Sequence, residues 1–177
     1  GKRSLAVNGR TPLGQEILQK LADQADVVVQ NMRPGKAARI GLDPDACLAR
    51  NPSLIYASIS GYGSAGPASG EPVYDYVIQA VTGMVDVQRD PRTGEADLTR
   101  HFPADKVTSH AAVEAILAAL FARERDPERR GQHVEVSMHE ANLAFMWPDS
   151  MMQHSIVGPP DAATIYPGDF YRVYATT

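Results

Sequence analysis

The sequence predicts a doubly wound α/β domain, and three observations lead to this prediction. Residues 27–29 are Val-Val-Val, a β-branched run without polar alternation. Such a run is typical of a strand that is covered on both faces in a parallel sheet. Residues 54–60, Leu-Ile-Tyr-Ala-Ser-Ile-Ser, form a second strand-like run. Helical patterns lie before and between these runs, and this order indicates right-handed βαβ units with helices on both faces of the sheet.

The first third of the chain is divided by capping and turn residues. A short strand is expected at 4–8. A helix is expected over 12–25, because Thr11 supplies an N-cap and Pro12 stands at the first helical position. Between the two strand-like runs we expect two short helices, one around 36–40 and one over 44–50.

A long helix is expected after Asp105, and a loop over 61–72 and a helix over 74–85 are expected before it. Within the long helix, four large apolar side chains recur at i, i+3, i+4 and i+7. This stripe is expected to face the core. Its members are Val113, Ile116, Leu117 and Leu120.

The last part of the chain is expected to return to the sheet and then leave it. Residues 133–137 alternate as a strand does, and 139–153 are expected to be helical despite Pro148. The tail, 158–177, contains three prolines and is expected to leave the core as an arm or linker.

The composition predicts a single well-buried core and argues against a nucleic-acid partner. The 177 residues are 44% hydrophobic and 21% charged, which suffices for one well-buried core. The formal charge of −4 gives no electrostatic basis for a nucleic-acid partner. The arginine-rich stretch at 123–130 alternates in sign, as a solvated helix end does.

The single cysteine, Cys47, excludes an intramolecular disulfide and fits a reducing compartment, so a cytoplasmic location is expected. Within its helix it is expected to be a small buried hydrophobe. The chain has no apolar run of roughly 18 residues, and its start lacks the apolar core of a signal peptide. Neither a membrane span nor secretion is expected.

Two sequence patterns suggest ligand sites and are disfavoured on closer reading. Residues 61–66 match G-x-G-x-x-G, but the prolines at 67 and 72 extend a loop where a dinucleotide site needs a helix. These glycines are expected instead to permit positive φ or a close backbone approach. Four further side chains lack metal-ligand spacing, so no metal is expected: His133, Glu135, His139 and Glu140.

Two other places have a functional and an ordinary interpretation. Residues 31–35, Asn-Met-Arg-Pro-Gly, follow a buried strand at the edge where open α/β sheets bind ligands. With Arg39 they form either a phosphate-anchoring group or an ordinary turn. Asp105 is expected to cap the following helix through the N–H of Val107 or Thr108, to be a carboxylate nucleophile, or to do both, because the positive end of the helix dipole keeps a carboxylate ionised.

Taken in order, several segments resemble the class III CoA-transferase family, of the formyl-CoA and carnitine CoA-transferase type. They are residues 1–4, 25–35, 51–63, Tyr74-Asp75 with Gln79-Ala80, 104–108 and 131–136. The resemblance implies a Rossmann-like α/β fold with a mostly parallel sheet, of which this chain holds an incomplete part. By this resemblance residues 1–157 are the central portion of the large domain. Residues 158–177 would be a linker toward a small domain.

The resemblance also implies an activity and its residues. Asp105 falls at the family's catalytic aspartate, which attacks an acyl-CoA thioester and then carries CoA as an aspartyl-CoA thioester before a carboxylic acid accepts it. The positions implied to contact CoA are Lys2, Asn31, Arg33, Arg39 and Tyr74. Acyl-CoA and carboxylic acid substrates, an interlocked homodimer of the full-length protein and no metal are implied as well.

Two alternatives remain. Related α-methylacyl-CoA racemases pair the aspartate with a histidine, and that histidine would fall at Tyr74. Because a tyrosine is a poor base at neutral pH, this difference favours the transferase. The chain could also be a noncatalytic CoA-binding or dimerisation fragment.

Overall fold

A computed structural model describes residues 1–90, 92–151 and 155 of the protein. Within these residues three parallel strands form one sheet, with the second strand in the middle. They are β1 (Val27–Gln30), β2 (Ile55–Ser60) and β3 (Gln132–Ser137). Val28 of β1 pairs with Tyr56 of β2, and Tyr56 pairs with His133 of β3. The predicted parallel α/β sheet is therefore confirmed.

Six α-helices surround this sheet in the described part of the chain. They are α1 (Pro12–Asp23), α2 (Pro44–Arg50), α3 (Asp75–Val81), α4 (Met84–Val87), α5 (Pro103–Arg125) and α6 (Met138–Ser150). A single 3₁₀ turn, Ala38–Ile40, takes the place of the short helix expected at 36–40. The expected N-cap of α1 is present, because the Thr11 hydroxyl accepts the N–H of Gly14 at 3.1 Å.

The expectation that the run at residues 27–29 is covered on both faces is wrong at Val29, which is 54% exposed on β1. The central strand β2 is the one covered on both faces. On one face Tyr56 packs with Ala22 of α1 and Cys47 of α2, and its hydroxyl donates to the carbonyl of Leu42 at 2.6 Å. Burial raises the pKa of Tyr56 to about 12. Ile55 and Ala57 point to the opposite face and are also fully buried.

Cys47 confirms the expectation of a buried thiol. Its side chain is fully buried in the cluster beneath α1 and α2. Burial raises the pKa of the thiol above its usual value, although the guanidinium of Arg50 lies 3.5 Å from the sulfur and acts in the opposite direction. The group is therefore a packing residue, since a reactive cysteine needs a lowered pKa and access.

The long helix α5 buries a different stripe from the one predicted. Val113 and Leu117 are 54% and 59% exposed, so the expectation that their stripe faces the core is wrong. The buried side chains of α5 lie on an adjacent face and are mostly small: Ala104, Thr108, Ala112, Ala119 and Arg123. Small residues allow the helix to approach its neighbours closely, and they outweigh the pattern of large apolar residues.

The arginine-rich stretch after α5 is only partly solvated. Arg129 and Arg130 form exposed ion pairs with Glu124 and Asp126, as expected. Arg123 is instead only 6% exposed, and its guanidinium donates to the carbonyl of Ser53 at 3.0 Å. The prediction of a fully solvated helix end is therefore wrong at this residue.

Two other elements differ from the predictions. Residues 4–8 have no regular structure, and no strand of the described residues pairs with them, so the strand expected there is wrong. The helix expected over 74–85 is split into α3 and α4, because Gly83 has a φ of 82°. Helix α6 includes Pro148 as expected. Its predicted last residues, 152–153, and the tail at 158–177 lie outside the described residues.

Candidate functional site

A cavity of about 610 Å³ opens at the carboxyl ends of β1 and β2. Its floor comes from residues 31–34 after β1 and from residues 59–61 at the end of β2. The start of α3 and the first turns of α5 close another side. Ligands of open α/β sheets bind at this edge, because the loops that follow parallel strands converge there.

Asp105 lines this cavity from the first turn of α5. The helix begins at Pro103, and Phe102 is its N-cap residue. Proline is favoured at the first helical position, which sets this start two residues before Asp105. The expectation that Asp105 caps the helix is therefore wrong. Its side chain is exposed and forms part of the cavity wall.

The surroundings of Asp105 raise the pKa of its carboxyl group above the usual value. Burial is the larger cause that raises the pKa of Asp105, and the negative charge of Asp75 also raises it. Lys106 acts in the opposite direction. A carboxylate whose charged form is poorly solvated is a stronger base, and hence a better nucleophile once it is ionised.

Asp75 connects α3 to the start of α5. Its side chain is 4% exposed, and one carboxylate oxygen accepts the backbone N–H of Asp105 at 2.8 Å. The other oxygen accepts the side-chain amide of Gln79 at 2.5 Å. Gln79 in turn accepts the N–H of Thr99 at 3.0 Å. Two buried side chains of α3 thus hold the segment that leads into α5.

Sequence reasoning missed this support. Asp75 and Gln79 were named only among the segments that resemble the family, and no role was predicted for them. Their spacing of four residues nevertheless places them on one face of a helix. A buried acid and amide at such spacing indicate a polar network inside the protein. The partner of that network, the N–H of Asp105, lies 30 residues away and has no signal in the sequence.

Four of the six predicted site residues gather around the cavity. Asn31, Arg33, Tyr74 and Asp105 all line it. Tyr74 is 78% exposed and stands at the N-cap of α3, so it forms part of the rim. Lys2 and Arg39 do not belong to the lining, and both are exposed.

The glycine-rich loop after β2 contributes a wall of the cavity. Residues 67–74 form no helix, which confirms that this loop lacks the geometry of a dinucleotide site. Gly63 and Gly66 have φ values of 89° and 90°, as expected of glycines placed for backbone freedom. At Gly61 an added Cβ would lie 2.5 Å from a methyl group of Val73.

A smaller cavity of about 150 Å³ adjoins the first and shares Arg33 with it. Gln30 donates to the hydroxyl of Ser58 at 2.9 Å, and this hydroxyl lies 2.8 Å from Nε2 of His133. The ring of His133 also packs edge-on against Tyr56. Among the described residues no three His, Cys, Asp or Glu side chains cluster as a metal site would require.

The fold and the cavity together define an α/β protein with an open cavity at the strand ends. The comparison with known sequences is more specific, because the model of CoA-transferase family III matches residues 1–177. The chain therefore belongs to the class III CoA-transferase family.

Two relatives illustrate the extent of the similarity. A protein named as a probable fatty acyl-CoA transferase, Rv3272 of Mycobacterium tuberculosis, is 35% identical over 152 residues, which cover 86% of this chain and 38% of that protein. The succinate–glutarate CoA-transferase of Agrobacterium fabrum is 34% identical over 160 residues, which cover 90% and 39%. The chain thus spans less than half the length of these relatives.

A solved structure supports the fold. The crystal structure of a CAIB/BAIF family protein from Brucella suis superimposes with a TM-score of 0.81 at 34% identity, over 90% of this chain and 42% of that one. Among the described residues, no helix is both long and apolar enough to cross a membrane.

Proposed function

We propose that the protein transfers CoA from an acyl-CoA donor to a carboxylic acid acceptor, with Asp105 as the nucleophile. One observation carries this proposal. In a member of the CoA-transferase family III, an exposed aspartate lies in the wall of a 610 Å³ cavity together with Asn31, Arg33 and Tyr74. A thioester placed in this cavity would meet both a carboxylate and a guanidinium among the lining side chains.

The proposed chemistry proceeds through two anhydrides and one thioester. A carboxylate oxygen of Asp105 attacks the carbonyl carbon of the donor thioester, the C–S bond breaks, and CoA leaves as a thiolate. The thiolate then attacks the aspartyl carbonyl, which releases the donor acid and leaves an aspartyl-CoA thioester. The acceptor carboxylate repeats both steps in reverse. The two anhydrides are high in energy and short-lived, while the donor thioester, the aspartyl-CoA thioester and the product thioester are of similar energy, so the transfer is split into two balanced halves.

The proposed binding roles follow from charge and position. Arg33 lines both cavities, and its guanidinium suits a phosphate or carboxylate of the ligand. Asn31 offers an amide to the polar arm of CoA, and Tyr74 covers the reacting end from the rim. We propose Lys2 and Arg39 as contacts for the outer part of CoA, beyond the cavity lining. CoA is the ligand throughout, and the proposed chemistry uses no metal.

The place of Asp105 within α5 suits this role. Its carboxylate lies in the first turn of a helix of 23 residues, where the partial positive charge of the helix N-terminus favours an anion. This effect opposes the increase in pKa that burial and Asp75 cause. The helix start therefore favours the ionised carboxylate, while partial burial and Asp75 make it more basic.

The proposal extends to a longer protein than residues 1–177. We propose residues 1–157 as the central portion of a large domain and residues 158–177 as a linker toward a small domain. We also propose a homodimer with interlocked subunits and a cytoplasmic location. The relatives are more than twice as long as their matched segments, so further parts of the protein would complete the site.

A racemase is the second candidate among enzymes. It needs a second proton-transfer group opposite Asp105, and the side chain at the corresponding part of the rim is Tyr74. A tyrosine hydroxyl already carries its proton at neutral pH and is a poor base there. A CoA-binding fragment without catalysis is the third candidate.

The test uses the protein with any sequence that flanks residues 1–177 in its reading frame. It is incubated with succinyl-CoA or acetyl-CoA, quenched in acid and digested, and the peptides are weighed by mass spectrometry. We expect the peptide that contains Asp105 to gain the mass of CoA less one water, and hydroxylamine to remove it. Asp105→Asn should abolish the adduct, whereas Glu114→Gln, an exposed change on the same helix, should not.

Each competing function has its own result in this experiment. CoA binding without any adduct on the wild-type protein would overturn the transferase and support the noncatalytic fragment. Exchange of the α-proton of a 2-methylacyl-CoA with deuterated water, again without an adduct, would support the racemase.

A further inference from the structure

The peptide group that joins Ala104 to Asp105 is bonded on both sides by buried side chains of other helices. Its N–H, from Asp105, donates to a carboxylate oxygen of Asp75 at 2.8 Å. Its carbonyl, from Ala104, accepts the side-chain amide of Asn142 at 3.2 Å. Asp75 begins α3 and is 4% exposed, and Asn142 lies in α6 and is fully buried.

The bond from Asp75 replaces a cap that α5 lacks. The first N–H groups of a helix have no partner inside the helix, and the N-cap side chain normally satisfies one of them. The N-cap residue of α5 is Phe102, whose side chain makes no such bond. Asp75 supplies the acceptor from another helix, although its charge raises the pKa of Asp105. A local Ser or Asn cap, which carries no charge, would stabilise the helix without this repulsion.

Asn142 is held in place by its donors alone. Its amide nitrogen lies 2.8 Å from the carbonyl of Met138 and 3.3 Å from the hydroxyl of Thr108, in addition to Ala104. Its amide oxygen is buried and has no hydrogen-bond partner among the described residues. A buried oxygen without a partner costs free energy, so packing alone would favour an apolar residue here. What Asn142 provides in return is a hydrogen bond from α6 to the carbonyl of Ala104 at the start of α5.

We propose that Asp75 and Asn142 act as a clamp on the Ala104–Asp105 peptide group and thereby position the carboxylate of Asp105 in the cavity wall. Because a peptide group is planar, holding both its N–H and its carbonyl fixes the plane from which the Asp105 side chain projects. Both residues are positioning residues, since each acts through Asp105. The inference rests on the proposed function, because the group being positioned is the proposed nucleophile.

The clamp itself is tested without any activity, by amide hydrogen exchange measured by NMR. We expect the exchange of the Asp105 amide to accelerate by about tenfold or more in Asp75→Ala, since its charged acceptor is removed. Asp75→Asn keeps an oxygen that can accept the bond and should retain most of the protection. Thr82→Val removes another buried hydroxyl near α3 and is the matched control. An unchanged Asp105 amide in Asp75→Ala would overturn the clamp.

The positioning role is tested by the rate at which the aspartyl-CoA adduct forms. A misplacement of a reacting group by about 1 Å can cost on the order of 100-fold in rate. We expect Asp75→Ala and Asn142→Ala to lower the maximal rate of adduct formation by about 10- to 100-fold, with KM changed by less than about threefold. Asp75→Asn should restore most of the rate, and Thr82→Val should leave it unchanged.

The outcomes separate this inference from the proposed function. An equal loss of rate in Thr82→Val would mean general destabilisation and would overturn the positioning role, as would full rates in both alanine variants. If Asp75→Ala does not fold, the other two variants decide. A lowered rate in Asn142→Ala with a largely retained rate in Asp75→Asn supports the positioning role, and a full rate in Asn142→Ala overturns it. A wild-type protein that forms no adduct would overturn the proposed function and the positioning role, while the Asp105 amide would still show whether the clamp exists.

Discussion

Arg123 is expected to be a principal contact between α5 and the sheet. Its guanidinium is buried at the end of α5, donates to the carbonyl of Ser53 at 3.0 Å and lies 3.1 Å from the carboxylate of Asp26. The side chain of Asp26 is 82% exposed. The carbonyl bond and the ion pair therefore lie in different environments, and the two can be separated by single substitutions.

The magnitudes follow from these environments. A buried hydrogen bond from a charged donor contributes about 1.5 to 3 kcal/mol, and the buried stem of the side chain adds on the order of 1 kcal/mol. The Nε group of Arg123 is buried and has no hydrogen-bond partner within the described part of the chain, which offsets roughly 1 kcal/mol of this gain. We expect Arg123→Ala to lower the free energy of unfolding by about 2 kcal/mol. Asp26→Asn should lower it by about 0.5 kcal/mol or less, because exposed ion pairs contribute little.

Urea unfolding followed by circular dichroism measures both changes. A loss of about 2 kcal/mol should move the midpoint of Arg123→Ala down by roughly 1 M, at an unchanged slope. The midpoint of Asp26→Asn should stay close to that of the wild type. If Asp26→Asn destabilised the protein as much as Arg123→Ala, the ion pair and not the carbonyl bond would hold the end of α5, and the reasoning would be refuted.

Three further predictions concern packing, pH and ligand binding. In Gly131→Ala the added Cβ would overlap the backbone carbonyl of Leu54, just before β2, so we expect the free energy of unfolding to fall by about 3 kcal/mol or more. In the control Gly70→Ala the added Cβ meets nothing within 4 Å, and the free energy of unfolding should fall by less than about 0.5 kcal/mol. The rate of adduct formation should rise with pH, because only the ionised form of Asp105 attacks. The midpoint of this rise should lie above the usual aspartate pKa, since burial and Asp75 raise the pKa of Asp105. A midpoint at or below the usual value would contradict this. Arg33→Ala should weaken CoA binding in calorimetry by about tenfold, and a wild-type affinity would remove Arg33 from the proposed site.

The sequence was sufficient to predict the elements that depend on local chemistry. A β-branched run without alternation marked β1, and a proline after a threonine marked the start of α1. Asp105 was assigned to the site only through the resemblance, whereas Asn31 could be placed at the ligand-binding edge because it follows a parallel strand. Strand ends meet at one edge of the sheet whatever the rest of the packing is.

Other features depend on contacts between distant parts of the chain. The buried face of α5 is built from small residues such as Ala112 and Ala119, which a count of large apolar side chains overlooks. Arg123 looked solvated because its neighbours alternate in sign, and only the fold places the Ser53 carbonyl within its reach. Asn142 has no neighbours in the sequence that indicate a bond to a helix start 38 residues earlier.

The central claim is that the carboxylate of Asp105 carries CoA between two acids, and oxygen transfer tests it most directly. In the proposed chemistry the acceptor carboxylate attacks the aspartyl thioester, and the bridging oxygen stays on Asp105 when CoA moves to the acceptor. With an acceptor acid labelled with oxygen-18 and repeated turnover, the peptide that contains Asp105 should gain label. Label in the released donor acid with none in this peptide would mean direct attack of the acceptor on the acyl-CoA, and would contradict the claim.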